Sequence, residues 1–217
     1  MNVTDAVMQR KSVRDFLPDP IDTDVIRELL AKASRAPSGG NVQPWKIWVI
    51  NGESMAAFRK HMADSPPSDG MEYNVYPPKL WDPYRTYRYE LGEQMYETIG
   101  VGRDDKAGRM KQFGRNMDFF GAPASLFCFI DRGMGAPQWS DLGMFLQTFM
   151  LLAEEAGYQT CPQEAWASAH EQVRSFTSAP DELMLFCGVA IGTANNDHPI
   201  NSLVSERAPV DEFATFL

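Results

Sequence analysis

The segment Asp141–Ala156 constrains the fold more than any other part of the chain, because apolar side chains cover nearly the whole circumference of the helix it predicts. A helix that is apolar on all sides must be buried on all sides. A domain of this size can enclose one central helix, and a subunit interface can cover such a helix equally well. Ser140 is the expected N-cap and Gly157 the expected end. The other elements must therefore pack around this helix, within one chain or between two.

Apolar periodicity predicts further helices and strands on both sides of that segment. Helices are expected from Thr4 or Asp5 to near Arg10, after a cap at Asp22 or Thr23, and at Glu53–Met62, Tyr87–Ile99 and Asp104–Gly114. Strands are expected at Trp45–Ile50, Ser125–Ile130 and Leu183–Ile191. Between them, Ala63–Tyr84 lacks periodicity and is predicted to be a long loop, a type of segment that often covers a binding site.

Composition and charge exclude several classes of protein. The chain has 217 residues, of which 44% are hydrophobic and 23% charged, which favours one globular domain. Its net charge of −9 argues against nucleic-acid and anionic-membrane partners. No secretion signal or bilayer-spanning run is found, so we expect a soluble, cytoplasmic protein. Cys128, Cys161 and Cys187 are expected to be buried free thiols.

The residue patterns of several enzyme classes are missing. The three histidines are widely spaced, and Cys161 with His170 lacks a third partner, so no metal site is expected. The nucleophile elbow, the Walker A loop and the H-E-x-x-H motif are absent. Gly100-Val101-Gly102 is followed by Asp105, where a dinucleotide-binding fingerprint needs glycine. If the protein is an enzyme, its chemistry is expected to belong to a bound cofactor.

A basic cluster, Arg10-Lys11-Ser12-Val13-Arg14, stands out in this acidic chain. Arg10 and Arg14 share one side of a helix or of an extended chain, and in the extended form Ser12 joins them. Two guanidinium groups and a hydroxyl on one side suit a phosphate or another anion. A solvated face paired with Asp15 and Asp19 is the alternative interpretation.

Three further segments have features of ligand-binding turns. Ala36–Trp45 (APSGGNVQPW) joins a helix stop, small residues and a tryptophan that enters a strand, although an ordinary helix-to-strand loop has the same composition. Gly157–Glu164 (GYQTCPQE) follows the central helix and brings polar groups to the end of a buried element. Ser205-Glu206-Arg207 adds an isolated cation near the C-terminus.

Taken together, these segments resemble the FMN-dependent nitroreductase family in their order along the chain. The motifs that carry the resemblance are RKSVRDF at Arg10–Phe16, APSGGNVQPW at Ala36–Trp45, DLG with the apolar helix at Asp141–Leu152, GYQTCPQE at Gly157–Glu164 and NSLVSERAP at Asn201–Pro209. The family usually begins with an arginine pair followed by serine, and Lys11 replaces the second arginine. Residues 63–113 correspond to the family's variable region.

The resemblance implies an α+β fold with a mixed, mostly antiparallel central sheet flanked by helices. It implies one domain over residues 1–217, with a lid-like insertion at about 63–113 and a C-terminal arm at about 195–217. It also implies an intertwined homodimer that holds non-covalent FMN at its interface. By position, Arg10, Ser12 and Arg207 would hold the phosphate and ribityl chain, and Arg14 would lie by the N1/O2 edge of the flavin.

The cofactor-binding residues implied by the resemblance come from both ends of the chain and from the loops between. The full set is Arg10, Lys11, Ser12, Arg14, Pro37, Ser38, Gly39, Asn41, Pro162, Gln163, Glu164, Ser205 and Arg207. Of these, Pro37, Ser38, Gly39 and Asn41 would reach the flavin of the other subunit. Pro162–Glu164 would line the ring, with a backbone amide near Glu164 facing N5.

The implied activity is the reduction of nitroaromatic or related electron-poor aromatic and quinone substrates by NADPH or NADH. Transfer would be ping-pong through flavin N5 and would need no catalytic side chain. Reductive dehalogenation, enone reduction and flavin binding without turnover are the alternatives. Aromatic residues of the variable segment are the expected substrate contacts, although packing of a surface loop explains them equally well. They are Tyr73, Tyr76, Trp81 and Tyr84.

Overall fold

Four strands form one antiparallel sheet at the centre of the molecule. In this computed structural model, which describes residues 1–217, they are β1 (Lys46–Asn51), β2 (Ala124–Asp131), β3 (Gln159–Gln163) and β4 (Leu183–Gly192), in the order β1-β2-β4-β3. Every neighbouring pair is antiparallel. The one parallel pairing is an isolated bridge between Ser12 and Thr160, which attaches the N-terminal segment to β3. The α+β fold class is confirmed, and its parallel component is limited to that bridge.

Eight α-helices surround this sheet. In chain order α1 to α8 span Val3–Gln9, Thr23–Ala33, Glu53–Asp64, Tyr84–Thr98, Lys106–Gly114, Ala136–Glu155, His170–Thr177 and Val210–Phe213. Helices α2 and α6 pack against each other on one face of the sheet, and α3 and α7 lie on the other face. None of the helices combines the length and the apolar character needed to cross a bilayer.

Strand β2 is buried on both of its faces. Successive side chains of a strand point to opposite sides, so Leu126, Cys128 and Ile130 join the core beneath α2 and α6. Phe127 and Phe129 join a second core under α3, where Phe58 and Trp166 are fully buried. The continuous apolar run of this strand is thus explained by helices packed on both sides of the sheet. All three cysteines are buried, as the sequence predicted.

Helix α6 begins five residues before the predicted start. Gly135 is the N-cap, and its N–H donates to the Gln138 side chain over 3.2 Å. The predicted cap, Ser140, lies inside the helix and donates to the carbonyl of Pro137 over 2.6 Å. The helix ends at Glu155, and Gly157 follows with φ +87, a conformation that glycine adopts without strain. Its buried face meets α2 and the sheet, whereas Met144 on the opposite face is 39% exposed.

Candidate functional site

The N-terminal basic cluster is extended, which settles the choice left open by its sequence. Helix α1 ends at Gln9, and Val13 turns inward, fully buried, while its N–H donates to the carbonyl of Thr160 over 3.0 Å. The alternating residues Arg10, Ser12 and Arg14 are half-buried along the other side of the segment. Burial raises the pKa of the Cys161 thiol to about 11, and Arg14, Ser12 and Arg10 oppose that rise. All three therefore lie close to β3.

Asn201 joins this segment to the C-terminal part of the chain. Its buried side chain accepts from the N–H of Arg14 over 2.8 Å and donates to the carbonyl of Asp15 over 2.7 Å. Its own carbonyl accepts from the Lys11 ammonium. The residue occurs in the NSLVSERAP motif, but no local pattern marks it, because its partners lie at the other end of the chain. Asn201 is the structural residue that sequence reasoning missed.

Arg14, Ser205 and Arg207 meet at one cleft of about 1000 Å³, although they come from opposite ends of the chain. Helix α4 forms much of the opposite wall, with the side chains of Tyr84 and Tyr87 among those that line it. The wall contains acidic groups as well, namely Glu90, Glu206 and Glu212. The volume of this cleft suits a ligand that carries an aromatic ring system.

Arg14 and Arg207 form hydrogen bonds within the chain but no ion pairs. Arg207 donates to the Ser205 hydroxyl over 2.7 Å and to the carbonyls of Ser205 and Glu206. Arg14 donates to the carbonyl of Ser12 over 3.1 Å. Neither of them, nor Arg10 or Lys11, takes part in any of the salt bridges of the chain. Unpaired cations in a chain of net charge −9 fit a phosphate such as that of FMN.

The loop Pro37–Asn41 lies elsewhere and is held by α6. Gly39 and Asn41 belong to a single 3-10 turn, and the N–H of Gly39 donates to both carboxylate oxygens of Asp141, over 3.2 and 3.3 Å. Asp141 is only 3% exposed, so this carboxylate is fixed by the packing of α6. Neither Pro37, Ser38, Gly39 nor Asn41 lines the cleft that holds Arg14 and Arg207. Within one chain, the structure does not bring these two groups of predicted residues together.

The residues Pro162–Glu164 form the end of β3 and the turn after it. Pro162 and Glu164 are exposed, and partial burial nevertheless raises the pKa of the Glu164 carboxyl. Gln163 is buried, and its Nε2 donates to the carbonyl of Asn116 over 2.9 Å. Its Oε1 is buried without a hydrogen-bond partner in the chain. Pro162 and Gln163 belong to the same strand as Thr160, which pairs with Ser12. Strand β3 therefore connects them to the basic cluster.

The aromatic residues of the variable segment divide into two groups. Tyr76 and Tyr84 line the cleft, and Trp81 packs edge-on against Tyr84 with ring centroids 5.7 Å apart. Tyr73 instead packs between Trp139 and Phe186, and its hydroxyl donates to the carbonyl of Phe186. Burial raises the pKa of the Tyr73 phenol far above its usual range. The structure therefore gives Tyr73 a place in the core instead of in the cleft.

A buried carboxylate fixes the middle of the predicted loop, residues 63–84. Glu72, with its side chain 1% exposed, is 2.5 Å from Arg132 and from His170 Nδ1, and 3.6 Å from Arg174. The N–H of Glu72 also donates to the carbonyl of Ala167 over 2.8 Å. Glu72 and Tyr73 thus tie the predicted loop down at its centre. Only the part that follows them, with Tyr76, lies at the cleft.

Comparison with known proteins relates this architecture to one enzyme family. The family model described as the nitroreductase family matches residues 7–193. The chain is 36% identical over 214 residues to a 4-nitrobenzoate reductase of Pseudomonas putida, covering 97% of the chain and 93% of that relative. It is 31% identical over 219 residues to a chloronitrobenzene nitroreductase of Comamonas testosteroni, covering 99% and 96%.

A solved structure extends the likeness to the whole fold. It is the crystal structure of the FMN and NADPH-dependent nitroreductase NfnB from sphigopyxis sp. strain HMH, which the chain matches with a TM-score of 0.95 and 40% identity. The match covers 100% of this chain and 99% of that one. The family model ends at residue 193, whereas this match also includes the C-terminal residues, which therefore have counterparts in that structure.

Proposed function

This chain belongs to the nitroreductase family, and we propose from that membership that it is an FMN-dependent oxidoreductase that reduces nitroaromatic compounds with NADPH. The observation that carries the proposal is the meeting of Arg14, Ser205 and Arg207 at one aromatic-walled cleft. These groups come from the two motifs at opposite ends of the chain. The name of the Pseudomonas relative makes 4-nitrobenzoate the first substrate to test.

We assign the residues of the cleft to the two ends of the cofactor. Arg207 and Ser205, with Arg10, Lys11 and Ser12 on the neighbouring extended segment, bind the phosphate and ribityl chain. Arg14 would lie beside the edge of the ring where negative charge collects on reduction, and its guanidinium would stabilise that charge. Asn201 positions Arg14, because its side chain holds the Arg14 backbone N–H. No side-chain acid or base is required in this assignment.

The chemistry that FMN supplies when bound is acceptance of a hydride from NADPH and delivery of two electrons to the oxidant, in two separate ping-pong half-reactions. Each two-electron reduction of a nitro group to a nitroso group consumes one NADPH and one proton and releases water. The aromatic side chains of the cleft, Tyr76 and Tyr84 among them, stack on the substrate ring and exclude water from it.

We further propose that the working unit is a homodimer with FMN at its interface. Exposed apolar side chains support this arrangement, because α1 leaves Val3 76% and Met8 79% exposed and the tail leaves Phe213 71% and Phe216 79% exposed. The loop Pro37–Asn41, which lies outside the cleft of its own chain, is then free to serve the cofactor of the partner subunit. In the same arrangement, Pro162–Glu164 would line the flavin ring.

The absorption spectrum of the purified protein is the first experiment. We expect a yellow protein with a flavin spectrum, from which heat releases FMN identifiable by chromatography. Steady-state oxidation of NADPH should then depend on 4-nitrobenzoate or menadione. A colourless protein that fails to bind added FMN would contradict the proposal, and a yellow protein without turnover would favour a flavin-binding role alone.

A further inference from the structure

Arg88 is the one arginine of the cleft to which the proposed cofactor contacts give no role. It lies in α4 and lines the cleft together with Arg14 and Arg207. Two other arginines of α4 and α5 have carboxylate partners: Arg85 pairs with Asp82 at 2.5 Å and Arg109 with Glu93 at 2.6 Å. Arg88 has neither an ion pair nor a hydrogen bond within the chain, so its N–H groups are available to a ligand.

Tyr76 holds this guanidinium at the cleft. The Cζ atom of Arg88 lies 4.4 Å from the centroid of the Tyr76 ring, within the range of a cation–π contact. The contact joins α4 to the part of the variable segment that follows the Glu72 and Tyr73 anchor. A guanidinium seated over a ring keeps its planar set of donors and loses little side-chain freedom when it binds a carboxylate.

The acidic residues of the cleft do not neutralise Arg88. Glu212 accepts a hydrogen bond from the Tyr87 hydroxyl over 2.8 Å, which also raises the pKa of that phenol. Glu90 and Glu206 line the cleft but form no ion pair with any arginine. Around Arg88 the wall is aromatic and apolar, with Tyr84 and Leu91 among its residues. A free guanidinium beside aromatic rings is the donor arrangement that an aromatic carboxylate requires.

We propose that Arg88, seated on Tyr76, binds the carboxylate of the nitroaromatic substrate and makes the enzyme selective for anionic nitrobenzoates over neutral nitrobenzenes. The inference rests on the proposed function, because the nitro group of the same molecule must reach the flavin in this cleft. Arg88 is a specificity-determining residue in this proposal and takes no part in electron transfer. The phosphate groups of NADPH offer the other anionic chemistry that such a residue could meet, and the experiment separates the two.

The test compares Arg88→Gln with the unchanged protein, both loaded with FMN. KM and kcat are measured for 4-nitrobenzoate and for nitrobenzene at saturating NADPH, and the KM for NADPH is measured with menadione, which has no carboxylate. Benzoate, which has no nitro group to reduce, serves in calorimetric titrations as a probe of binding alone. Arg103→Gln is the matched control, because Arg103 stacks on Tyr89 at 5.6 Å but does not line the cleft.

We expect Arg88→Gln to raise the KM for 4-nitrobenzoate and the Kd for benzoate about tenfold, which is the loss of one charge-assisted hydrogen-bonded contact. The KM for nitrobenzene and the KM for NADPH should change less than twofold, and Arg103→Gln should change none of these values. Equal losses for both nitro compounds, or unchanged benzoate binding, would overturn the inference while leaving the proposed function intact. A rise confined to the KM for NADPH would assign Arg88 to the reductant instead. If the unchanged protein reduces neither compound, the proposed function itself fails.

Discussion

At the scale of single residues, two cations from the terminal motifs keep their charge unpaired at the cleft. Arg14 and Arg207 are the cations that the two terminal motifs bring to this cleft, and each side chain is bonded only to backbone carbonyls or to a hydroxyl. A guanidinium bonded in this way keeps its full charge. These hydrogen bonds hold the guanidinium groups in place and leave their positive charge available to an anionic ligand.

Removing one of these guanidinium groups should weaken cofactor binding. Arg207→Ala is expected to raise the Kd for FMN about tenfold to a hundredfold, since a hydrogen bond to a charged group contributes about 1.5–3 kcal/mol. The loss is measured by titrating the apoprotein with FMN and following the quenching of flavin fluorescence. Arg35→Ala, an exposed arginine at the end of α2 and outside the cleft, is the control. An unchanged Kd for Arg207→Ala would remove that residue from the phosphate site.

Gly188 is the residue whose replacement should harm the core most directly. A Cβ atom at this position of β4 would lie 2.4 Å from Cδ1 of Trp166, a fully buried ring that cannot move aside. Gly188→Ala should therefore destabilise the protein by about 1–3 kcal/mol or prevent folding. Gly114→Ala, where no atom lies within 4 Å, should be neutral or slightly stabilising. Denaturant titration of the two variants decides, and equal stabilities would contradict this packing.

At the scale of secondary-structure elements, the variable segment depends on the buried carboxylate of Glu72. Glu72→Gln should destabilise the protein by about 1–3 kcal/mol, because it removes the buried charge that Arg132 and Arg174 share, while Arg132 is 42% exposed and Arg174 keeps Asp181 as a partner. It should also speed proteolytic cleavage within residues 65–83. Glu182→Gln, an exposed neighbour without an ion pair, is the control for both measurements. Cleavage at an unchanged rate would mean that Tyr73 alone anchors the segment.

The ion pair between α4 and α5 should make their packing sensitive to acid. The two terminal guanidinium nitrogens of Arg109 donate to Glu93, over 2.6 and 2.8 Å, and these bonds hold the pKa of the Glu93 carboxyl below its ordinary value of 4.5. The unfolded state then binds the proton more readily than the folded one. The stabilisation is complete above pH 4.5 and is lost as the pH falls through the lower pKa of the folded state.

The variant Glu93→Gln tests this pH dependence. Its Tm should lie below that of the unchanged protein at pH 7, and the gap should close as the pH is lowered below 4.5. Glu97→Gln, an exposed position on the same helix, should show no gap at either pH. If the difference in Tm stays constant from pH 7 to below pH 4.5, the loss of stability is steric and does not come from the charge of Glu93.

The elements that the sequence predicted well are those with strong apolar patterns. Helix α2, with Asp22 as its N-cap, and strands β2 and β4 agree with expectation to within one or two residues. Strand β3 was not predicted, because it is short, polar and contains Pro162. Proline is tolerated there because β3 lies at the edge of the sheet. The early start of α6 was missed because Pro137 lies in its first turn, where proline fits a helix.

The residues of the candidate site could be predicted from the sequence only where they belong to a recognisable motif. The basic cluster and the SER motif each marked a cation, and the structure brings Arg14 and Arg207 to one cleft. The placement of Tyr73 in the core, and the roles of Asn201 and Glu72, depend on partners far away along the chain. Such contacts leave no periodicity in a single sequence. Tertiary packing therefore decided between a binding and a structural role for residues of the same type.

At the scale of the whole molecule, we expect subunit association and cofactor binding to be coupled. Deleting residues from Asp211 onward removes the bond between Tyr87 and Glu212, the cleft residue Phe213 and the exposed apolar tail. The shortened protein should dissociate and lose FMN together, because a ligand bound across an interface stabilises that interface. Light scattering with absorbance at micromolar concentration measures both. A flavin-loaded monomer, which for the unchanged chain has a mass of 24.4 kDa, would contradict the coupling.

The bonds of Asn201 to Arg14 and Asp15 join one of the first segments of the chain to be synthesised to one of the last. The N-terminal basic segment leaves the ribosome first, yet the residue that holds its backbone in place is translated only near the end of the chain. Arg207 follows later still. A nascent chain paused before these positions has the cations but not their fixed arrangement, so it should not retain FMN. We therefore expect FMN to bind at the proposed site only after the chain has been released from the ribosome.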